Sequence, residues 1–401
     1  MKHSAFVFMM RRMSTDTGIR PFRIEIPSTE LDDLQDRLAR TRWPDGIPDA
    51  SWSRGVPVGY LKDLAGYWRS SYDWRRHEAR LNELDQFTTE IDGQRIHFVH
   101  VRSTEEDALP LILTHGYPST FTEFAALVGP LTNPRAYGGQ TGDAFHVVIP
   151  SLVGFGFSTP VRDSGWEANR IARAWQELMR RLGYTRYAAH GSDIGAGVSD
   201  TLSQIDAEHV VGVHGATDPG AISLFLDFLG EAAQPDGLSE SDSALLERLR
   251  EYGREGGGYL KIQSTRPRTL AYGINDSPLG QLAWIIEKFK EWVNPAASVP
   301  EEAIDRDHLL TNASIYWFTG SGASAASFLY EAAHGPRDWG CVPSVPRAMA
   351  AFNTNSLMRR MVDPTNSLTH WTEFERGGHF PALEVPDLLV QDVRLFFRNL
   401  R

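Results

Sequence analysis

The chain has 401 residues, 41% of them hydrophobic and 11% aromatic, with a formal net charge of -11 at pH 7. That content suits one large core with an insertion, or two domains, and excludes a disordered chain; the acidic balance argues against a polyanionic partner such as nucleic acid. The single cysteine, Cys341, excludes an internal disulfide framework and suits a reducing compartment, so a cytoplasmic location is expected.

The first thirteen residues hold one apolar run, Ala5 to Met10, ahead of Arg11 and Arg12. Six residues cannot span a bilayer, and a secretory signal places its basic residues before a longer apolar stretch. We expect residues 1–20 to be a disordered or non-native tail, with the physiological start at Met13. Phe22 to Ile26 then alternates like a short strand, and Pro27-Ser28 opens a helix with Leu31, Leu34 and Leu38 on one face. From Trp43 to Trp74 aromatics recur irregularly among Gly and Pro (Trp52, Tyr60, Tyr67, Trp68, Tyr72). This is the composition of an arm, residues 21–85, that lays its rings on the main body.

Gln86 to Ile91 and Gln94 to Val101 alternate about Asp92-Gly93, a strong hairpin signal. Continuous apolar runs at Leu109 to Thr114, Phe145 to Ile149 and Val210 to His214 alternate with helical stretches such as Ala168 to Leu182, predicting a parallel sheet covered on both faces over residues 86–218. From about Pro219 to Trp339 the pattern turns helical with no strand-type run, which reads as an inserted helical cap, residues 219–340. Val345 to Phe352 and Thr369 to Glu375 restore the sheet in residues 341–401, and a last helix carries Val385, Leu389, Val393 and Phe396 on one face.

Within this frame Tyr187 to Gly197 reads as a strand entering a Gly-rich turn and then a helix, the layout of a nucleophile elbow. Such a turn needs small residues two before and two after its tip. With Ser192 at the tip those are His190 and Ile194; with Asp193 they are Gly191 and Gly195. Sterics select Asp193, and an aspartate nucleophile attacks carbon to make an alkyl ester. A Gly-rich turn whose Asp merely caps the helix looks the same, so the motif alone leaves both readings open. It matches neither the dinucleotide fingerprint nor a phosphate loop, so no cofactor is expected, and no His pair has metal-ligand spacing.

Hydrolysing such an ester takes a base, and His379 in Arg376-Gly-Gly-His-Phe-Pro381 follows the last predicted strand at the same sheet end as Asp193. Taken alone, a His beside Phe is more often a packed structural residue; its place after an elbow in chain order points to function. The oxyanion of ester hydrolysis needs backbone donors, for which the N–H groups of Ile194 and of Tyr117, in His115-Gly-Tyr-Pro118, are placed. The latter stretch also reads as an ordinary Gly-Pro turn.

Together these motifs resemble the microsomal-type epoxide hydrolases of the α/β-hydrolase superfamily over about Pro21 to Phe397. The likeness extends to Arg42-Trp-Pro44, Gly154-Phe-Gly-Phe-Ser158, Gly258-Tyr-Leu-Lys-Ile-Gln263, Asp276-Ser-Pro-Leu-Gly280, Trp284-Ile-Ile-Glu-Lys-Phe289 and Gly377-Gly-His-Phe380. The resemblance implies an α/β-hydrolase fold: a mostly parallel sheet with helices on both faces, an inserted helical cap and an N-terminal wrapping arm. It implies a small-molecule epoxide as substrate. Asp193 would attack an oxirane carbon while cap tyrosines donate to the departing oxygen, and His379 would then activate water to release a vicinal diol. Tyr259 matches the first cap tyrosine. The second falls on Leu329, with Tyr330 one residue later and about 100° further round a helix; either Tyr330 serves through a small shift or the cap has one donor. The family's acid falls on Asn355, whose amide accepts an imidazole N–H but cannot stabilise imidazolium by charge. Asp218, just past the strand after the elbow, is the substitute acid we hypothesise, with Asp363 a weaker candidate.

Two rivals remain. A haloalkane dehalogenase would share Asp193 and His379 but wants a halide-binding donor such as Trp where Ile194 stands. The departures at Asn355 and Leu329 keep open a catalytically impaired homologue that binds small molecules. The identity of the epoxide is not legible, and a homodimer is left open.

Overall fold

The computed structural model describes residues 18–45, 51–223, 237–335, 344–354 and 356–401. The expected tail with its start at Met13, and also Cys341 and Asn355, lie outside the described residues. Strands β1 (Arg20–Phe22), β2 (Gln86–Ile91), β3 (Gln94–Val101), β4 (Leu109–Thr114), β5 (Phe145–Pro150), β6 (Tyr187–Ser192), β7 (Val210–Thr217), β8 (Arg347–Phe352) and β9 (His370–Phe374) form one sheet in the order β1-β2-β3-β5-β4-β6-β7-β8-β9. The pairs from β1 to β5 are antiparallel, and all pairs from β5 to β9 are parallel. Asp92 and Gly93, at φ 52° and 72°, supply the two positive angles that a tight β2–β3 hairpin requires, and Ile91 pairs with Gln94.

Three helices precede β2: α1 (Ser28–Ala39), α2 (Val58–Ser70) and α3 (Trp74–Leu81). The sheet crossovers are α4 (Ala125–Thr132), α5 (Ala168–Arg181) and α6 (Ile194–Ile205). Between β7 and β8 run α7 (Glu240–Gly256), α8 (Gly258–Thr265), α9 (Pro267–Asp276), α10 (Pro278–Trp292), α11 (Arg306–Thr319) and α12 (Ser321–His334), the helical cap. α13 (Ser356–Val362), α14 (Pro381–Glu384) and α15 (Pro386–Phe397) complete the described α-helices. Side chains alternate across a strand, and the core divides accordingly. Ile112 of β4 packs with Trp175 and Leu178 of α5 and Val198 of α6, whereas Leu111 and Leu113 pack with Leu127 and Leu131 of α4 and Val393 of α15. β5 and β6 are buried at every residue because helices cover both faces.

β1 ends at Phe22, short of the strand expected over Phe22 to Ile26. Beyond it, side chains replace the ladder. Asn82 accepts the Ile24 N–H at 2.8 Å and donates to its carbonyl, and Glu78 accepts the Ile26 N–H at 2.7 Å. Ile24 and Ile26 are still buried, so the alternation was a true burial signal whose partner is α3 and its cap instead of a strand. The arm then lies along one side of α11. Tyr67 donates to Asp307, Tyr72 pairs with Thr311 and Trp68 donates to Ser314, at 2.8, 3.0 and 3.1 Å. Those acceptors stand at i, i+4 and i+7, one helical face.

Candidate active site

Asp193 sits between β6 and α6 at φ 52°, ψ -125°, a conformation costly for any residue with a Cβ. The turn is so tight that a Cβ on Gly191 would lie 2.1 Å from the Gly195 carbonyl oxygen, and one on Gly195 would lie 1.8 Å from that of Thr114. Only glycine fits on either side. The Asp193 side chain keeps 26% of its surface accessible, whereas Ser192 is 4% exposed and turns inward to donate its hydroxyl to Glu123 at 3.1 Å. The aspartate can be reached and the serine cannot.

Around that tip converge the loops following the carboxyl ends of three other parallel strands, where open α/β sheets hold their ligands. From β4 comes Tyr117, whose N–H donates to Asp193 Oδ1 at 2.9 Å; the Ile194 N–H, next in the chain, favours the ionised form of the same carboxyl. Past β7, Asp218 Oδ1 accepts from His379 Nδ1 at 2.8 Å, and its Oδ2 accepts the Gly220 N–H at 2.8 Å. Past β9, His379 presents Nε2 3.7 Å from Asp193 Oδ2, longer than a hydrogen bond. The imidazole therefore lies between two carboxylates.

The electrostatics follow from that placement. Burial disfavours a charged His379, but Asp218 and Asp193 outweigh it and push its pKa well above the usual value. Burial likewise opposes charge on Asp193, yet His379 and the Tyr117 and Ile194 amides hold its carboxyl below the usual range. The ring of Tyr259 on α8 stacks on Tyr117, centroids 6.0 Å apart, and Trp292 at the end of α10 packs against both Tyr259 and His379. Burial, then the nearby Asp193 charge, keep the Tyr259 phenol protonated. The His379 N–H donates to the Trp292 carbonyl at 2.9 Å, fixing the histidine loop against the cap.

Asp193, His379, Asp218, Tyr117, Ile194 and Tyr259 thus share one cluster. Tyr330 is not part of it: its ring is 36% exposed and stacks on His334 at 4.1 Å, while Leu329 packs inward. The one-residue rotation on α12 turned it outward. Asp363 accepts the N–H groups of Ser367 and Leu368. Asn355 lies outside the described residues. Sequence reasoning missed Glu123, a buried carboxyl beneath the elbow, and Glu384, which accepts the N–H groups of Phe380 and Asn294. It also missed Gln263, which donates to the Tyr117 hydroxyl. No spacing rule marks a lone polar residue whose partner is distant in sequence. Among the described residues no group of three or more His, Cys, Asp or Glu is placed to hold a metal ion, and no helix is long and apolar enough to cross a membrane.

Residues 19–124 match the family model described as epoxide hydrolase N terminus. A Stigmatella aurantiaca (strain DW4/3-1) protein assigned as an epoxide hydrolase is 43% identical, over 96% of this chain and 86% of its own length. Epoxide hydrolase 1 of Sus scrofa is 33% identical over 95% of this chain and 89% of its own. The crystal structure of juvenile hormone epoxide hydrolase from the silkworm Bombyx mori superposes with a TM-score of 0.83 at 27% identity, covering 97% of this chain and 96% of that one. With this sheet and elbow, such identity over nearly the whole length shows that the chain belongs to the microsomal-type epoxide hydrolase family of the α/β-hydrolase superfamily.

Proposed function

We propose that the protein hydrolyses a small, neutral epoxide to a vicinal diol through an ester on Asp193. The observation that carries this reading is the reachable carboxylate at the elbow tip, 3.7 Å from a histidine that is bonded on its far side to Asp218. Asp193 attacks an oxirane carbon, the carbon–oxygen bond breaks, and its electron pair leaves with the oxygen, which takes the Tyr259 phenol proton. Ester formation removes the Asp193 charge, one of the two that hold the proton on His379. His379 then gives that proton up to the Tyr259 phenolate and becomes a neutral base.

In the second step His379 takes a proton from water as the oxygen attacks the ester carbonyl. The oxyanion falls to the Tyr117 amide, which bonds the carboxylate in the resting state, and to the adjacent Ile194 amide. On collapse the alkoxide takes the proton of the new carboxyl group. This regenerates ionised Asp193, imidazolium and phenol, so the cycle closes on one epoxide and one water. Asp218, bonded to His379, supplies the charge that an amide at Asn355 could not, which supports turnover over the impaired-homologue reading. A cytoplasmic location belongs to the same proposal.

Incubation with an aryl epoxide in isotopically labelled water tests it. Label should enter the Asp193 carboxylate over repeated turnovers, and Asp193→Asn should form no diol. Asp218→Asn should slow ester hydrolysis on the order of 10²- to 10⁴-fold while leaving ring opening fast. Unlabelled Asp193 during turnover, or full activity in Asp218→Asn, would sink the reading.

A further inference from the structure

Lys288 is a buried cation that the mechanism above does not use. It lies on α10 one turn before Trp292, is 3% exposed, and places Nζ 4.8 Å from the centre of the Tyr259 ring and 5.8 Å from that of Trp292. Glu291 Oε2 and Glu287 Oε1 stand 2.5 and 2.9 Å from the ammonium. Burying an ammonium is costly even when paired, and a methionine or leucine would fill the same space without that cost. A cation kept there calls for an electrostatic role.

The role follows from what surrounds the phenol. Burial, Asp193, Tyr117, Glu291 and Tyr252 all resist loss of the Tyr259 proton. Among the described residues Lys288 is the cation found on the Tyr259 ring face. Its partners Glu287 and Glu291 keep 39% and 20% of their side-chain surface exposed, so water screens both carboxylates more than it screens the ammonium, whose side chain is 4% exposed and lies on the ring. We propose that Lys288 is a positioning and tuning residue for ring opening: resting on the Tyr259 ring, it stabilises the negative charge that grows on the phenol as its proton passes to the epoxide oxygen. No bond to Lys288 forms or breaks. The inference rests on the reading of Tyr259 as the proton donor.

Single-turnover kinetics with an aryl epoxide separate ester formation from ester hydrolysis, and their rate constants do not depend on the fraction of protein folded. Lys288→Met should slow ester formation by about tenfold or more while hydrolysis changes by less than about twofold, and Lys288→Arg should retain most of the rate. Installing 3-fluorotyrosine at position 259, a more acidic phenol, should restore much of the loss in Lys288→Met. Tyr259→Phe is the control. If it leaves ester formation fast, the donor reading itself fails. If it slows ester formation but Lys288→Met does not, or if Lys288→Met slows both steps together without rescue by the fluorinated phenol, the role assigned to Lys288 is overturned.

Discussion

Glu123 shows how a residue outside the reaction can shape the site. It is 1% exposed, accepts the Ser192 hydroxyl, and has its pKa pushed up to about 7, chiefly by burial and further by Asp193, against the Ser192 hydrogen bond and the charge of His379. A carboxyl whose pKa is raised in the folded state contributes stability that is fully present below its unfolded value, and that contribution is lost as pH rises through about 7. Glu123→Gln is neutral at every pH and still accepts from Ser192. The variant and wild type should therefore melt together near pH 4.5, and the variant should gain up to about 3 kcal/mol on wild type above pH 7. Melting curves across that range that stay parallel would remove the assignment. This carboxyl could not be read from the chain. Asp193 could, because its requirement for Gly191 and Gly195 is written beside it, whereas the burial of Glu123 depends on an elbow some seventy residues further on.

Between elements, the arm reaches the reaction through α11. One face of that helix takes Tyr67, Trp68 and Tyr72 of the arm, while Asn312 and Tyr316 on another donate to the carbonyls of Pro118 and Ser119. Those residues end the loop that aims the Tyr117 N–H at Asp193. Trp68, fully buried, is the centre of the contact. Trp68→Ala should cost about 3–5 kcal/mol in chemical denaturation, from lost burial and the cavity left behind. It should also lower kcat, since α11 can then shift the Tyr117 N–H, the oxyanion donor we propose, by tenths of an ångström. A stability loss of that size with unchanged kcat would show that the arm stabilises the fold without tuning the loop. The aromatic composition announced a packing arm, but not that α11 would receive it. The choice of Asp307, Thr311 and Ser314 becomes visible only when their spacing is seen against the rings that meet them.

At the scale of the molecule, the elements whose pattern is local were legible: the hairpin at Asp92-Gly93, the buried parallel strands, the helical cap and the amphipathic last helix. The pairings that join distant segments were legible only as hypotheses, such as Asp218 with His379, or not at all. The clearest instance of the latter crosses the sheet. His190 on β6 and His214 on β7 approach Nδ1 to Nδ1 at 2.9 Å, and His214 Nε2 donates to Asp392 on α15 at 3.0 Å. Asp392 also accepts from His370 and Thr372 on β9. Since Asp392 can only accept while ionised, His214 Nε2 carries the proton between them, and one further ring proton joins His190 Nδ1 to His214 Nδ1, a chain running from the last helix to the strand that leads into Asp193. Burial opposes the Asp392 charge, but His214, His370 and Thr372 hold its pKa down to about 2. A depressed carboxyl contributes stability that is present above its unfolded value near 4 and is lost as pH falls through about 2. Asp392→Ala leaves His214 and His370 without their acceptor and should cost about 3–5 kcal/mol at pH 7. In urea melts that deficit should shrink as pH is lowered from 4 towards 2, because wild type loses the same interaction there. A deficit equal at pH 7 and pH 2.5 would mean that Asp392 holds α15 by packing alone, and the chain of histidines would then have no part in fixing the strand beneath Asp193.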